Sequence, residues 1–308
     1  MMIDRKRCYL LSVLFLLLCS PNISFGATVE KEFKDILPFV ESGSIYLENV
    51  NGNIEAKSWT RAEVEVKALI KVKAGDAEEA GATLGKVEIL INKSSNKISI
   101  EVDYPKNAKG SGLWNLLFGR GKPVVSISFW LTVPKKSDLD MNTTNGKVTI
   151  SDIEGNVLSR ATNGSVYVRN VVGSTESQTT NGNISALDIR GDAVAKTTNG
   201  KINVRRIDGN INAKSTNGEI YAEVLGITKE KDMEFITTNG SITVLLPKDI
   251  NADLEAKTNN GKIYTEYPVT MVGEISKKHI TGKINNGGPL IYIGTTNGGI
   301  EILESKRP

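Results

Sequence analysis

Apolar residues recur along the middle of the chain in columns with a period of 18: Val148, Val166, Ile184, Ile202 and Ile220 form one, and Ile150, Val168, Ala186, Val204 and Ala222 form a second. Their separation of two puts both columns on one face of an extended strand, because side chains alternate across a β-strand. A third column, Ile153, Val171, Ile189, Ile207 and Leu225, precedes a glycine (Gly155, Gly173, Gly191, Gly209, Gly226), and Val157, Thr175, Ala193 and Ile211 follow it. Each interval thus holds two extended runs and two turns. Such a unit cannot bury its apolar face alone, but coils stacked about 4.8 Å apart share one continuous core. The pattern predicts an all-β fold: a single-stranded β-helix, or β-solenoid, with 18-residue coils.

The other turn of each interval carries the most regular signal. Asn145-Gly146, Asn163-Gly164, Asn181-Gly182, Asn199-Gly200 and Asn217-Gly218 follow one another at intervals of 18, and Asn239-Gly240 and Gly261 continue at 22 and 21. Glycine is expected here to supply a positive φ, and asparagine to tolerate left-handed backbone and to hydrogen-bond from coil to coil as a ladder. The rival reading makes each Asn-Gly a hairpin turn in an antiparallel meander. A meander, however, gives no reason for column-wise identity between neighbouring repeats.

The stretch Gly-Ser-Ile-Tyr-Leu-Glu-Asn-Val-Asn-Gly-Asn-Ile from Gly43 aligns without a gap to the unit that starts at Gly146, so one coil precedes the main array. Between them, alternation in Val64-Glu65-Val66-Lys67-Ala68, in residues 87–91, in residues 98–102 and in residues 125–129 predicts four half-buried strands, and Asp76 begins a short acidic, alanine-rich helix. A solenoid end exposes core and unpaired edges, so a capping sheet with one helix is expected there. The organisation expected is a leader over 1–26, a lead-in segment and first coil over 27–59, the inserted cap over 60–135, repeats over 136–303 and a tail over 304–308, with residues 286–288 and 296–302 forming the last coils.

The Gly-x-Ile-x-Val-x-x-Val-x-Gly-x-Ile unit, the single early copy and the interposed strands ending at Val133-Pro134 resemble the adhesin-like β-strand-repeat family over about residues 40–303. Members of that family are exported bacterial proteins of mostly unknown function, related to head domains of autotransporter adhesins. The resemblance implies a β-helical fold and an envelope address, and it implies no reaction.

Composition adds a destination. Arg5-Lys6-Arg7, an apolar run over residues 9–19, then Pro21 and the small residues Ser24 and Gly26 read as a secretory signal peptide cleaved after Gly26. The run is short for a membrane span, which disfavours an uncleaved anchor. Removing the leader takes the formal charge from +3 to +1, which gives no support to nucleic-acid binding. Both cysteines, Cys8 and Cys19, lie in the leader, so the mature chain has no thiol or disulfide. Lipidation at Cys19 is disfavoured because Leu18 stands where a small residue is needed.

Candidate chemistry is sparse. His279, the single histidine, lies in an irregular C-terminal segment where no Ser-His-Asp pattern is legible and a solvated side chain is expected, and no phosphate loop, dinucleotide fingerprint or metal set is present, so no cofactor or metal is expected. The column Asp152, Asn170, Asp188, Arg206 sets its two acids two coils apart, about 9.6 Å, at the outer limit for a glycosidase pair. Tyr167, Tyr221 and Tyr264 share one outward offset, in coils 2, 5 and 7, and form the candidate ligand face. Residues 106–122 set Leu113, Trp114, Leu116, Leu117 and Phe118 among glycines and basic residues, either as a plug over the solenoid end or as a docking loop for a partner or lipid surface. The function expected is that of an exported, non-enzymatic adhesin-like protein or cell-envelope scaffold. Its partner would be an envelope polysaccharide, such as peptidoglycan, or another envelope protein; the oligomeric state is open.

Overall fold

The structure, a computed structural model, describes residues 26–40, 42–104, 123–227, 231–271 and 276–305. The chain divides into two compact units, Met1–Gly146 and Lys147–Pro308.

In the first unit the strands are β1 (Ala27–Pro38), β2 (Gly43–Asn51), β3 (Ile54–Trp59) and β4 (Glu63–Ala74), then helix α1 (Ala77–Leu84), then β5 (Glu88–Lys93), β6 (Lys97–Asp103), β7 (Val124–Pro134) and β8 (Ser137–Asn145). They form two sheets, in the orders β1-β4-β7-β3 and β8-β2-β6-β5. The early coil β2/β3 pairs in parallel with β6 and β7, while β8 lies on the other side of β2. The lead-in segment is itself a strand: β1 runs antiparallel along the whole of β4, so residues 27–38 extend the cap sheet before the chain enters the first coil at β2. Alternation in β4 buries Val64, Val66, Ala68, Ile70 and Val72. Helix α1 starts where the Asp76 carboxylate accepts the Glu79 N–H at 2.8 Å, and it buries Ala80 and Leu84.

The second unit is built of β9 (Val148–Glu154), β10 (Val157–Asn163), β11 (Val166–Val172), β12 (Thr175–Asn181), β13 (Ile184–Arg190), β14 (Ala193–Asn199), β15 (Ile202–Asp208), β16 (Ile211–Asn217), β17 (Ile220–Gly226), β18 (Met233–Asn239) and β19 (Ile242–Leu246). It ends in β20 (Ala252–Asn260), β21 (Ile263–Thr265), β22 (Val269–Met271), β23 (His279–Ile284), β24 (Leu290–Asn297) and β25 (Ile300–Glu304). One parallel sheet runs β9-β11-β13-β15-β17-β19-β25-β21 and the other β10-β12-β14-β16-β18-β24-β20, continued by β23 and β22 in antiparallel fashion. Like stacks on like, as Val166, Ile184 and Ile202 show, each at 1% exposure or less. Burying one such side chain stabilises by about 1.5–3 kcal/mol.

Two features depart from the sequence expectation. The final coil is not at the end: β24/β25 is interposed between β18/β19 and β20/β21, and residues 286–288 form the turn that leads back to it, not a coil corner. The third inward column also ends on Val224, which is fully buried, while Leu225 is 44% exposed. The cause is local. In β9, β11, β13 and β15 an extra residue with left-handed φ (Asp152 64°, Asn170 52°, Asp188 57°, Arg206 55°) separates two inward residues, so a step of three keeps both inside. Strand β17 lacks that residue, the register shifts, and its second glycine comes one position early.

Candidate functional site

The corner column is the most continuous feature of the second unit. Asn181 Nδ2 donates to Asn163 Oδ1 at 2.8 Å, and Asn199, Asn217, Asn239, Asn297 and Asn260 repeat the bond in spatial order at 2.7–2.8 Å. Interposition of the last coil is what keeps this ladder unbroken, since Asn297 links Asn239 to Asn260. Inside the ladder runs a second one: Thr179, Thr197, Ser215, Thr237, Thr295 and Thr258 donate their hydroxyls to the corner glycine carbonyl of the neighbouring rung at 2.8–3.1 Å. Sequence reasoning missed it, although Thr or Ser two places before every corner asparagine but Asn163, where Ala161 stands, was its signal.

The reason for glycine differs from the expected one. Gly182, Gly200, Gly218 and Gly240 lie outside the left-handed region, but a Cβ on any of them would sit 1.9–2.1 Å from the carbonyl oxygen of the corner glycine one rung back. Close approach of two backbones, not a positive φ, excludes a side chain. In the first unit Gly146 (φ 158°) stacks in the same way on Gly52, 2.1 Å from its carbonyl oxygen to a built Cβ, and the Gly52 N–H donates to Asn145 O at 2.7 Å.

The acidic column is committed to its neighbours. Asn170 Nδ2 donates to Asp152 Oδ1 at 2.6 Å, and the Arg206 guanidinium grips both oxygens of Asp188. Left-handed backbone costs a residue other than glycine about 1–2 kcal/mol, which asparagine and aspartate tolerate best. At Arg206 the fork onto Asp188 offsets part of that cost. At the opposite turn, burial opposes the Asp192 charge, but hydrogen bonds from Lys231 Nζ (2.7 Å) and the Asn210 N–H (3.0 Å) outweigh it and hold the carboxyl below its usual range.

Tyr167, Tyr221 and Tyr264 all face outward on one column. Tyr264 stands three rungs beyond Tyr221, not two, because β25 intervenes, so the three rings are spaced evenly at about 14 Å. Tyr167 is 41% and Tyr264 57% exposed. Lys147 Nζ lies 5.6 Å from the Tyr167 ring centre and the Arg205 guanidinium 5.5 Å from that of Tyr221, so cations flank two of the rings.

His279 is half exposed, with Nε2 3.2 Å from Thr281 Oγ1 and 3.6 Å from Glu255 Oε1, a surface contact. Among the described residues no group of three His, Cys, Asp or Glu side chains could hold a metal ion, and no helix is long and apolar enough to cross a membrane. Leu113, Trp114, Leu116, Leu117 and Phe118 lie outside the described residues, as do Cys8, Cys19 and all of the leader but Gly26.

No curated protein matches the chain. Among solved structures it is similar to a "putative adhesin" from Bacteroides fragilis NCTC 9343, at 14% identity over 89% of this chain and 97% of that one, with a TM-score of 0.45. It is similar also to a "putative adhesin" (12% identity, TM-score 0.42) and a "putative lipid binding protein" (14%, 0.41), both from Parabacteroides distasonis ATCC 8503 and both covering 89% of this chain and 97% of theirs. Scores of this size carry no argument. The Toastrack DUF4097 family matches residues 44–303, which include both the early coil and the interposed last one, and the chain belongs to that family.

Proposed function

We propose that the protein is an exported, non-enzymatic solenoid, adhesin-like or an envelope scaffold, that works by presenting its outer surface to a component of the cell envelope. The asparagine ladder carries the reading. Seven corner side chains bond to one another over six rung intervals, about 29 Å, so the polar groups of this edge are spent on stiffening a surface. The leader of residues 1–26 supports the address. Fractionation of cells making the full chain tests it: the mature protein, starting after Gly26, is expected in the envelope fraction, and full-length chain confined to the cytosol would overturn it.

The even tyrosine column favours a second reading, a module that binds an envelope glycan along the solenoid axis through Tyr167, Tyr221 and Tyr264. Peptidoglycan pull-down with wild type and Tyr264→Ala separates the two: equal retention leaves scaffolding as the role, and loss of retention selects the glycan.

A further inference from the structure

Asn-Gly is the dipeptide in which the backbone nitrogen after an asparagine most easily attacks its own neighbour. The glycine nitrogen forms a bond to the asparagine Cγ, the Cγ–Nδ2 bond breaks and ammonia leaves. Water then opens the five-membered imide to aspartate or to a β-linked isoaspartate. Glycine puts no Cβ in the path of this attack, and asparagine is a thermolabile residue for that reason. A chain with this many Asn-Gly corners needs its glycine N–H groups occupied.

In the second unit they are occupied at every rung but one. Gly164, Gly182, Gly200, Gly218, Gly240 and Gly298 donate their N–H to the corner asparagine carbonyl of the next rung, at 2.9–3.2 Å. Gly261 belongs to the outermost corner and has no next rung: its N–H makes no hydrogen bond among the described residues. Asn260 is exposed; its Nδ2 donates to Asn297 Oδ1 at 2.8 Å, while its own Oδ1 receives no bond from any described residue. The remaining Asn-Gly of the unit, Asn286-Gly287, sits in a tight turn with Gly287 at φ 74° and its N–H donating to Ile284 O at 3.1 Å.

We propose that Asn260-Gly261 is a self-modification site, at which the terminal rung deamidates while the ladder shields every Asn-Gly behind it. Conversion replaces the Nδ2 donor by a carboxylate, which takes from Asn297 its partner and adds a negative charge beside Lys278, whose Nζ already bonds Asn259 O at 2.8 Å. The isoaspartyl product also lengthens the backbone just where Gly261 stacks against the Gly298 carbonyl, so the rung β20/β21 loosens.

The full chain, kept native in mildly alkaline heavy-oxygen water and then digested, reports conversion at each site by mass spectrometry. Asn260 is expected to convert at least about tenfold faster than Asn181, Asn199, Asn217 or Asn239, whose reaction must wait for local opening. In denaturant that ratio is expected to collapse towards one. Native conversion at similar rates along the ladder, no conversion at Asn260, or faster conversion at Asn286 overturns the proposal, because each would mean that occupancy of the glycine N–H does not govern the reaction.

Discussion

Gly200→Ala isolates what holds adjacent rungs at their spacing. Gly200 lies outside the left-handed region, so alanine meets no backbone penalty there; the obstacle is the Gly182 carbonyl, whose oxygen would lie 1.9 Å and carbon 2.6 Å from the new Cβ. Relieving the contact to 3.0 Å forces the two rungs about 1.1 Å apart at the corner. Five bonds cross that interval at the corner: Gly182 N–H to Asn199 O (3.0 Å), Ile184 N–H to Lys201 O (2.9 Å), Thr197 Oγ1 to Gly182 O (3.0 Å), Asn199 Nδ2 to Asn181 Oδ1 (2.8 Å) and Lys201 N–H to Asn183 Oδ1 (2.8 Å). Stretched by that amount, none remains a hydrogen bond. At about 1 kcal/mol each, with some relief by local tilting, the substitution costs roughly 2–4 kcal/mol. Gly81→Ala is the control, since Gly81 sits in α1 with nothing within 4 Å of its Cβ position; it should stabilise by about 0.5–1 kcal/mol. Urea unfolding measures both. A Gly200→Ala protein within about 0.5 kcal/mol of wild type would refute close backbone stacking as the reason for the corner glycines.

Three further substitutions probe the register and the cap. Ile184→Asp places an unpaired carboxylate at a site with no exposure, at a cost of several kcal/mol, and should prevent folding as read by circular dichroism; Asn183→Asp, exposed and still able to accept the Lys201 N–H, should change stability by less than about 0.5 kcal/mol. In the cap, the hydrogen bond from Lys67 at 2.8 Å, opposed by burial and helped by Lys34 at 3.0 Å, lowers the Glu65 carboxyl from its ordinary value. A depressed carboxylate contributes stability above its unfolded value and loses it as pH falls through the folded one. Glu65→Gln should therefore cost about 1 kcal/mol at neutral pH, and the gap to wild type should close well below pH 4.5; a gap that persists in acid would exclude the ion pairs as its source.

Period, inward columns and corners were legible in the sequence because stacking demands column-wise likeness, and the buried Ile184 and Ile202 obey it. The left-handed residues were half legible. A step of three between Ile150 and Ile153, both inward, already required one extra residue, but measuring each coil by its second glycine hid the fact that β17 omits it and turned Leu225 into a core residue in place of Val224. The acidic column looked like candidate catalytic chemistry for the same reason: aspartate and asparagine recur there because they tolerate left-handed backbone, and Asp152 and Asp188 spend their oxygens on Asn170 and Arg206.

The order of the coils was the least legible feature, since every Thr-x-Asn-Gly corner offers the same donors and acceptors to every other, and ladder chemistry cannot say which coil stacks on which. Connector length permits it. Residues 155–156 link β9 to β10, and two residues reach about 7 Å, enough for one rung spacing. Residues 247–251 link β19 to β20, and five reach about 16–18 Å, so they can span the roughly 9.6 Å of two spacings and leave a slot. Coil β24/β25 fills that slot with partners on both sides: β18 and β20 flank β24, β19 and β21 flank β25, and the Leu290 N–H is fixed by Asp232 Oδ1 at 2.8 Å. Placed outermost instead, the same coil would present a full-length edge to solvent. Interposition leaves as edges the three-residue β21 in one sheet and, in the other, the antiparallel pair β23 and β22 that covers β20. Short or covered edges are those that do not recruit another chain, so the longer interval that ends at Gly261, which holds the 247–251 connector, marks how this solenoid closes its own end.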